Sequence, residues 1–202
     1  MIEDEVVKGI RVAREDVHAD YYISALPFER MSAIVPALKV DTTVFEHSPI
    51  TGIHLWFDRP ITELRHATLL DRTIQWMFNK QDGRYVQLVV SASRSLVEMP
   101  RAEVIALALG ELADFFPEVA QAKLEKAHVV KEVRATFAAR PGLEALRPVT
   151  NTAVSNLFLA GDWTRSGWPA TMEGAVRSGH LAAEAVAEAA GSSGRFLLPD
   201  IG

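Results

Sequence analysis

Apolar and polar residues alternate strictly through the middle of the chain. Ile53, Leu55 and Phe57 interleave with His54 and Trp56, the period-two signature of a half-buried strand, and Asp58-Arg59-Pro60 stops it. Thr73–Asn79 is a second such run. Gln81-Asp82-Gly83 then predicts a hairpin, because Asp-Gly accepts positive φ at low cost. Arg84–Ser91 follows with Val86, Leu88 and Val90 on one face. The period changes at Pro100. Val104, Ala108, Leu112 and Phe115 form a helical stripe between Pro100, which suits a first turn, and Pro117, which ends it. Ala127–Phe137 alternates again. These elements predict an antiparallel sheet with a helix on one face.

The flanks read differently. Glu5–Ala13 predicts strand, a bend at Gly9, and strand; Tyr21–Ala25 predicts a buried strand ended by Pro27; Phe28–Val35 predicts a short helix closed by Pro36. None of these brings enough partners to complete a sheet. Arg140–Thr150, with Pro141, Gly142 and Pro148, reads as a connecting loop. Leu157-Phe158-Leu159-Ala160 predicts a strand buried on both faces, followed by a Gly161-Asp162 turn, a Trp-rich loop and a helix. Gly174, Ala175, Ser178, Gly179, Ala182 and Ala183 give that helix a nearly smooth face, which suits close packing of something flat or of another backbone. Gly191-Ser192-Ser193-Gly194 begins a tail expected to be flexible.

Composition narrows the function. The chain has 202 residues, 49% of them hydrophobic, enough for a sizeable core. Net charge is −5 with scattered basic residues, so no nucleic-acid footprint is present. With no cysteine, disulfides, thiolate metal sites and cysteine nucleophiles are excluded. No apolar run reaches the ~20 residues of a membrane span, and the acidic MIEDEVVKG start is not a signal peptide, so a cytoplasmic location is expected.

The strongest candidate chemistry lies at the end of the apolar strand. Gly161 lets the backbone turn, and Asp162 places a carboxylate where open α/β sheets bind ligands. Asp162 suits hydrogen bonds from ribityl or ribose hydroxyls. The helix start near Thr171-Met172 suits an electron-rich ligand edge. The alternative is a plain strand–helix corner with Asp162 as a turn residue. Trp56, Trp76 and Trp163 are candidates for an apolar substrate wall, with ordinary packing as the alternative, and Trp168 sits in the same loop as Trp163. The six histidines have no metal-site spacing, and no metal site is expected. His54 is expected at the surface or as a satisfied core residue. No side chain stands out as a catalytic acid or base.

The run AGDWTRSGWPATMEGAVRSGHLAA resembles the C-terminal flavin-binding signature of the amine-oxidase and phytoene-desaturase superfamily. It is most similar to the squalene-associated branch, the hydroxysqualene dehydroxylases. The matching positions are Gly161-Asp162, Trp163-Thr164, Gly167 through Thr171, Glu173-Gly174-Ala175, Ser178-Gly179 and Ala182-Ala183. Weaker similarity covers Ala19–Pro27, Ser48–Ile50, Asp71-Arg72 with Gln75-Trp76, and Ala138–Pro141.

The resemblance implies FAD as cofactor, held in this chain by Gly161, Asp162, Trp168, Thr171, Met172, Gly174 and Ala175. Asp162 would face the ribityl chain, and Thr171 and Met172 the isoalloxazine carbonyl edge. Gly174 and Ala175 would keep the helix start open. It implies an α+β and α/β fold: an antiparallel-sheet substrate domain at 38–140, with the C-terminal remnant of a Rossmann-like FAD-binding domain at 1–37 and 141–190, and a tail at 191–202.

The G-x-G-x-x-G fingerprint that holds the FAD pyrophosphate does not occur. The expectation is therefore the C-terminal part of a longer enzyme, with an incomplete FAD site and little activity alone. The implied substrate is a hydrophobic isoprenoid, foremost hydroxysqualene converted to squalene in hopanoid biosynthesis. Carotenoid (phytoene) desaturation, another flavin amine oxidase activity, and a non-catalytic binding module are the alternatives. Peripheral contact with the inner membrane face and self-association through a truncated face complete the expectations.

Overall fold

The computed structural model describes residues 1–199; the last three residues of the expected tail lie outside the described residues. In chain order the elements are β1 (Ile2–Glu3), β2 (Val6–Val7), β3 (Ile10–Val12), β4 (Glu15–Val17), β5 (Tyr22–Ser24) and α1 (Phe28–Ile34). Then come β6 (His47–Phe57), β7 (His66–Thr68), β8 (Trp76–Gln81), β9 (Tyr85–Ser91), α2 (Arg94–Val97), α3 (Arg101–Ala113) and β10 (Leu124–Phe137). The chain closes with α4 (Leu143–Leu146), β11 (Leu157–Leu159) and α5 (Met172–Ala189). Two compact units result. His47–Ala138 forms one, and Met1–Glu46 with the chain from Ala139 onward forms the other. The division thus falls nine residues later than the 37/38 border expected, because Phe45 belongs with the terminal unit: its ring packs on Phe28 at 5.0 Å and edge-on to Trp163 at 6.0 Å.

The central unit is an antiparallel sheet ordered β10-β6-β9-β8-β7. Its alternation works as the pattern predicts. Ile53, Leu55, Phe57, Met77, Val86, Leu88, Val90 and Val129 point to one face and meet Val104, Ala108 and Leu112 of α3 in one buried cluster. Asp82 and Gly83 take φ of 41° and 75° in the β8–β9 hairpin. Two expectations are corrected here. The strand foreseen from Thr73 starts at Trp76, since the Thr73 and Ile74 N–H groups donate to the Glu111 carboxylate at 3.0 and 2.7 Å instead of to a neighbouring strand. The helical stripe ends at Leu112: α3 stops at Ala113, the N–H groups of Phe115 and Phe116 both turn back to the Leu112 carbonyl, and Phe116 enters the core in place of Phe115. Phe115 lies outside, under the Arg72 guanidinium 5.5 Å from its ring centre.

The terminal unit has little regular structure. β1–β2 and β3–β4 are two small antiparallel ribbons. β5 and β11 pair in parallel, with Leu157, Phe158 and Leu159 opposite Tyr22, Ile23 and Ser24. All of β11 is buried, as its unbroken apolar run predicts. β5 is not buried throughout: Tyr22 faces inward and Ile23 outward, so it is a one-sided strand. Polar side chains do much of the tying. Asn156, just before β11, accepts from the Val7 N–H at 2.8 Å and donates to the carbonyls of Val7 and Asp20 at 3.0 and 3.1 Å. The start of the tail is also anchored, with the Phe196 and Leu197 N–H groups donating to the Glu184 carboxylate at 2.6 and 2.8 Å. No described helix is long and apolar enough to cross a membrane.

Candidate functional site

β11 delivers the chain into a sharp corner. The Ala160 N–H still bonds the Ser24 carbonyl at 2.9 Å, and the strand ends there. Gly161 has φ +131°, and a Cβ on it would stand 2.6 Å from the Trp163 indole nitrogen, so both conformation and space demand glycine. Its N–H donates to the Ser178 hydroxyl at 2.7 Å, and that hydroxyl donates to the Ala175 carbonyl at 2.6 Å. Ser178 thus rivets the turn to the first turns of α5. The Gly161 carbonyl accepts from the Thr164 hydroxyl at 2.8 Å, which tightens the loop further.

Asp162 sits half-buried at the corner. Burial lifts its carboxyl above the usual carboxylate range, while the Arg147 charge and the N–H groups of Asp162 and Trp163 pull in the opposite direction. A half-buried carboxylate is a ready acceptor for hydroxyl donors. Thr171 caps α5, its hydroxyl accepting from the Gly174 N–H at 3.1 Å. The N–H groups of Met172 and Glu173 precede any intrahelical partner and leave donor character at the helix start. Met172, 89% exposed, and Ala175 lie open beside them. Gly174 is forced by the loop: a Cβ there would come within 2.4 Å of the Pro169 carbonyl oxygen. Trp168 is half-buried, with the Arg177 guanidinium 4.8 Å from its ring centre.

The structure therefore brings Gly161, Asp162, Trp168, Thr171, Met172, Gly174 and Ala175 into one corner of the terminal unit. Trp163 is in the same corner but points inward. It is 1% exposed, and its indole N–H donates to the Leu26 carbonyl at 3.0 Å, so it packs the interior. Only part of the smooth face of α5 meets the protein. Gly174, Ser178 and Ala182 are buried, whereas Gly179 has open space where a Cβ would go.

Trp56 and Trp76 belong to the central unit, on the sheet face opposite α3. Trp56 stacks on Tyr85 at 4.4 Å with the rings 8° from parallel, and the Lys126 ammonium lies 4.7 Å from its ring centre. Trp76 is half exposed and stacks on Phe78 at 6.3 Å. On the same face His54 shares a 2.8 Å hydrogen bond with the Tyr85 hydroxyl, and burial with the nearby His128 and Lys80 pushes its imidazole below its ordinary value. Among the described residues no cluster of three or more His, Asp or Glu could hold a metal.

One residue of the corner carries no signal in the linear pattern. Arg147 is 4% exposed, although its segment reads as a loop. Its guanidinium donates to the carbonyls of Asp162 at 2.7 Å, Trp168 at 2.8 Å and Thr164, and pairs with Glu144 at 2.5 Å. A lone cation between Leu146 and Pro148 normally reads as solvated. Only the convergence of distant carbonyls reveals it.

A half-buried carboxylate beside free helical N–H donors matches a ligand with both a polyol and an electron-rich carbonyl edge, which a flavin combines. The chain belongs to the flavin containing amine oxidoreductase family, whose model matches residues 4–187. It is 35% identical over 167 residues to a hydroxysqualene dehydroxylase of Rhodopseudomonas palustris, covering 83% of this chain and 38% of that protein. It is 27% identical over 210 residues to a 15-cis-phytoene desaturase of Synechococcus elongatus, covering 91% of this chain and 44% of that one. The chain spans less than half the length of these curated relatives. In fold it is similar to an oxidoreductase from Methanosarcina mazei (TM-score 0.64, 18% identity, 88% of this chain and 46% of that one).

Proposed function

We propose that this chain is the part of an FAD-dependent oxidoreductase that supplies one wall of the flavin site and the surface for a long isoprenoid, with hydroxysqualene as the foremost substrate. The observation that carries the reading is the corner itself: Asp162 and the start of α5 offer an acceptor and donors side by side. FAD, when bound, supplies the two-electron hydride chemistry that side chains cannot. Asp162 would accept hydrogen bonds from the ribityl hydroxyls. The N–H groups at Met172 and Glu173 would serve the pyrimidine carbonyl edge, and the open surface at Ala175 and Gly179 would leave room for the ring system. Trp76 would offer an apolar face to the isoprenoid, whereas the ring faces of Trp56 are taken up by Tyr85 and Lys126.

Conversion of hydroxysqualene to squalene replaces a C–O bond with C–H, a two-electron reduction in which the oxygen leaves as water. Phytoene desaturation runs the other way, removing two hydrogens. Similarity to a phytoene desaturase over 91% of the chain supports this second reading. Product analysis decides between them: the longest natural polypeptide carrying this sequence is incubated separately with hydroxysqualene plus reduced FAD and with phytoene plus oxidised FAD. Squalene from the first supports the reading, desaturated product from the second alone replaces it, and no product from either rejects both.

The 202-residue chain by itself is expected to be inactive, since it contains no G-x-G-x-x-G for the pyrophosphate. We also propose peripheral contact with the cytoplasmic face of the inner membrane, because the proposed substrate is a lipid; liposome flotation tests it. Self-association draws support from the exposed Val12, Ile23, Met172 and Val176 of the terminal unit, and light scattering tests that.

A further inference from the structure

Arg147 lies outside the residues that would touch a flavin, yet three bonds from its guanidinium converge on the corner and a fourth goes to Glu144. A buried guanidinium must find partners for its planar fork, and here it finds backbone carbonyls at three separate points of one loop. The carbonyl of Asp162 and the N–H of Trp163 belong to one planar trans peptide and point in opposite directions. Fixing that carbonyl on Arg147 therefore fixes the plane of the peptide that follows the Asp162 side chain. The bond to the Trp168 carbonyl sets the approach to Pro169, whose own carbonyl abuts Gly174 at the start of α5. Glu144 balances the buried charge from α4. Arg165 laces the loop back in the other direction, donating to the Glu144 and Ala145 carbonyls at 3.2 and 2.5 Å.

We propose that Arg147 is the positioning residue of the flavin corner: by gathering the carbonyls of Asp162, Thr164 and Trp168 on one side, it preforms the loop that presents the Asp162 carboxylate and the α5 start to the cofactor. The proposal rests on the flavin reading of this corner. It does not require that Arg147 touch FAD.

A lysine keeps the charge opposite Glu144 but cannot span three carbonyls in one plane. The test compares wild type, Arg147→Lys and Arg147→Gln by amide exchange over residues 161–171, by thermal unfolding and by titration with FAD. We expect Arg147→Lys to speed exchange in that segment about tenfold and to weaken FAD binding about tenfold, each equivalent to about 1.4 kcal/mol. Exchange in His47–Ala138 stays as in wild type, and the unfolding midpoint moves by only about 2–4 °C. Arg147→Gln, with one donor group in place of the fork, follows in the same direction and further. Unchanged exchange and FAD affinity in both variants would overturn the proposal. So would an affinity loss that merely parallels loss of protection throughout the terminal unit, since that is the behaviour of a general stabilising residue. The titration uses the longest natural polypeptide carrying this sequence; a wild type of that length that binds no FAD rejects the flavin reading and the cofactor half of the proposal, while faster exchange at 161–171 in the variants would still show Arg147 shaping the loop.

Discussion

The two units hold themselves together by different means. In the central unit a single apolar cluster joins four strands to α3, and Ile53, Leu55, Met77, Val86, Leu88, Val104, Ala108 and Leu112 within it are wholly buried. Burial of that kind stabilises by area and tolerates some loss of any one contact. In the terminal unit the buried cluster around Val7, Tyr22, Val154 and Leu157 is small. Beside buried residues such as Phe28, Met31, Phe45, Leu159 and Trp163, the unit relies on single polar side chains that each bind several backbone groups: Asn156 ahead of β11, and Ser178 and Arg147 at the corner. Directional bonds place atoms more finely than hydrophobic contact does, which suits a surface that must meet a ligand. The cost is that each pin has no substitute.

That contrast can be broken at several points. The largest effect is expected from Leu88→Ala in the sheet core, which should lower stability by about 2–5 kcal/mol in chemical denaturation. A loss under about 1 kcal/mol would deny the apolar cluster its role. Next is Asn156→Ala, which leaves the Val7 and Asp20 backbone groups without their partner and should cost about 1–3 kcal/mol. Amide exchange at Val7 should accelerate while the central unit keeps its protection.

The glycines of α5 sharpen the comparison by sign. Gly174→Ala drives a methyl into the Pro169 carbonyl and should cost about 1–3 kcal/mol. Gly179→Ala meets open space and should stabilise the helix by up to about 1 kcal/mol in a thermal melt. Equal effects at the two positions would mean that the loop does not press on the helix start.

The smallest effect concerns pH. Burial raises the Asp162 carboxyl, so its folded-state value lies above its unfolded one. Its contribution to stability is complete below the unfolded value and is lost as pH rises through the folded one. Asp162→Asn should therefore flatten the stability profile of the terminal unit across the mildly acidic range just above the ordinary carboxylate value. A profile identical to wild type there would place the carboxylate in water.

The central unit was almost entirely legible in the chain, because one face of each strand is buried and period two reports that directly. Its exceptions are the short β7 and α2, which were not foreseen, and the late start at Trp76 and inward turn of Phe116, where a side chain and a proline compete with regular structure. The corner was legible at the Gly161 turn and at the helix start near Thr171-Met172, where local chemistry dictates residue type. Arg147 and Asn156 were not legible. Each owes its burial to partners far away in sequence, such as Val7 for Asn156, and no local pattern encodes such a meeting. Trp163 shows the converse. Its position in the loop suggested a ligand-facing wall, yet the Leu26 carbonyl and the Phe45 ring draw it inward.

The central claim is that the corner between β11 and α5 receives a flavin. The most direct measurement is backbone amide NMR of the longest natural polypeptide carrying this sequence, titrated with FAD to millimolar concentration, where even weak binding registers. The account predicts that Gly161, Asp162 and Met172–Ala175 shift together and saturably, and that Asp162→Ala abolishes the response. Shifts that leave those residues untouched, or none at all, would contradict it.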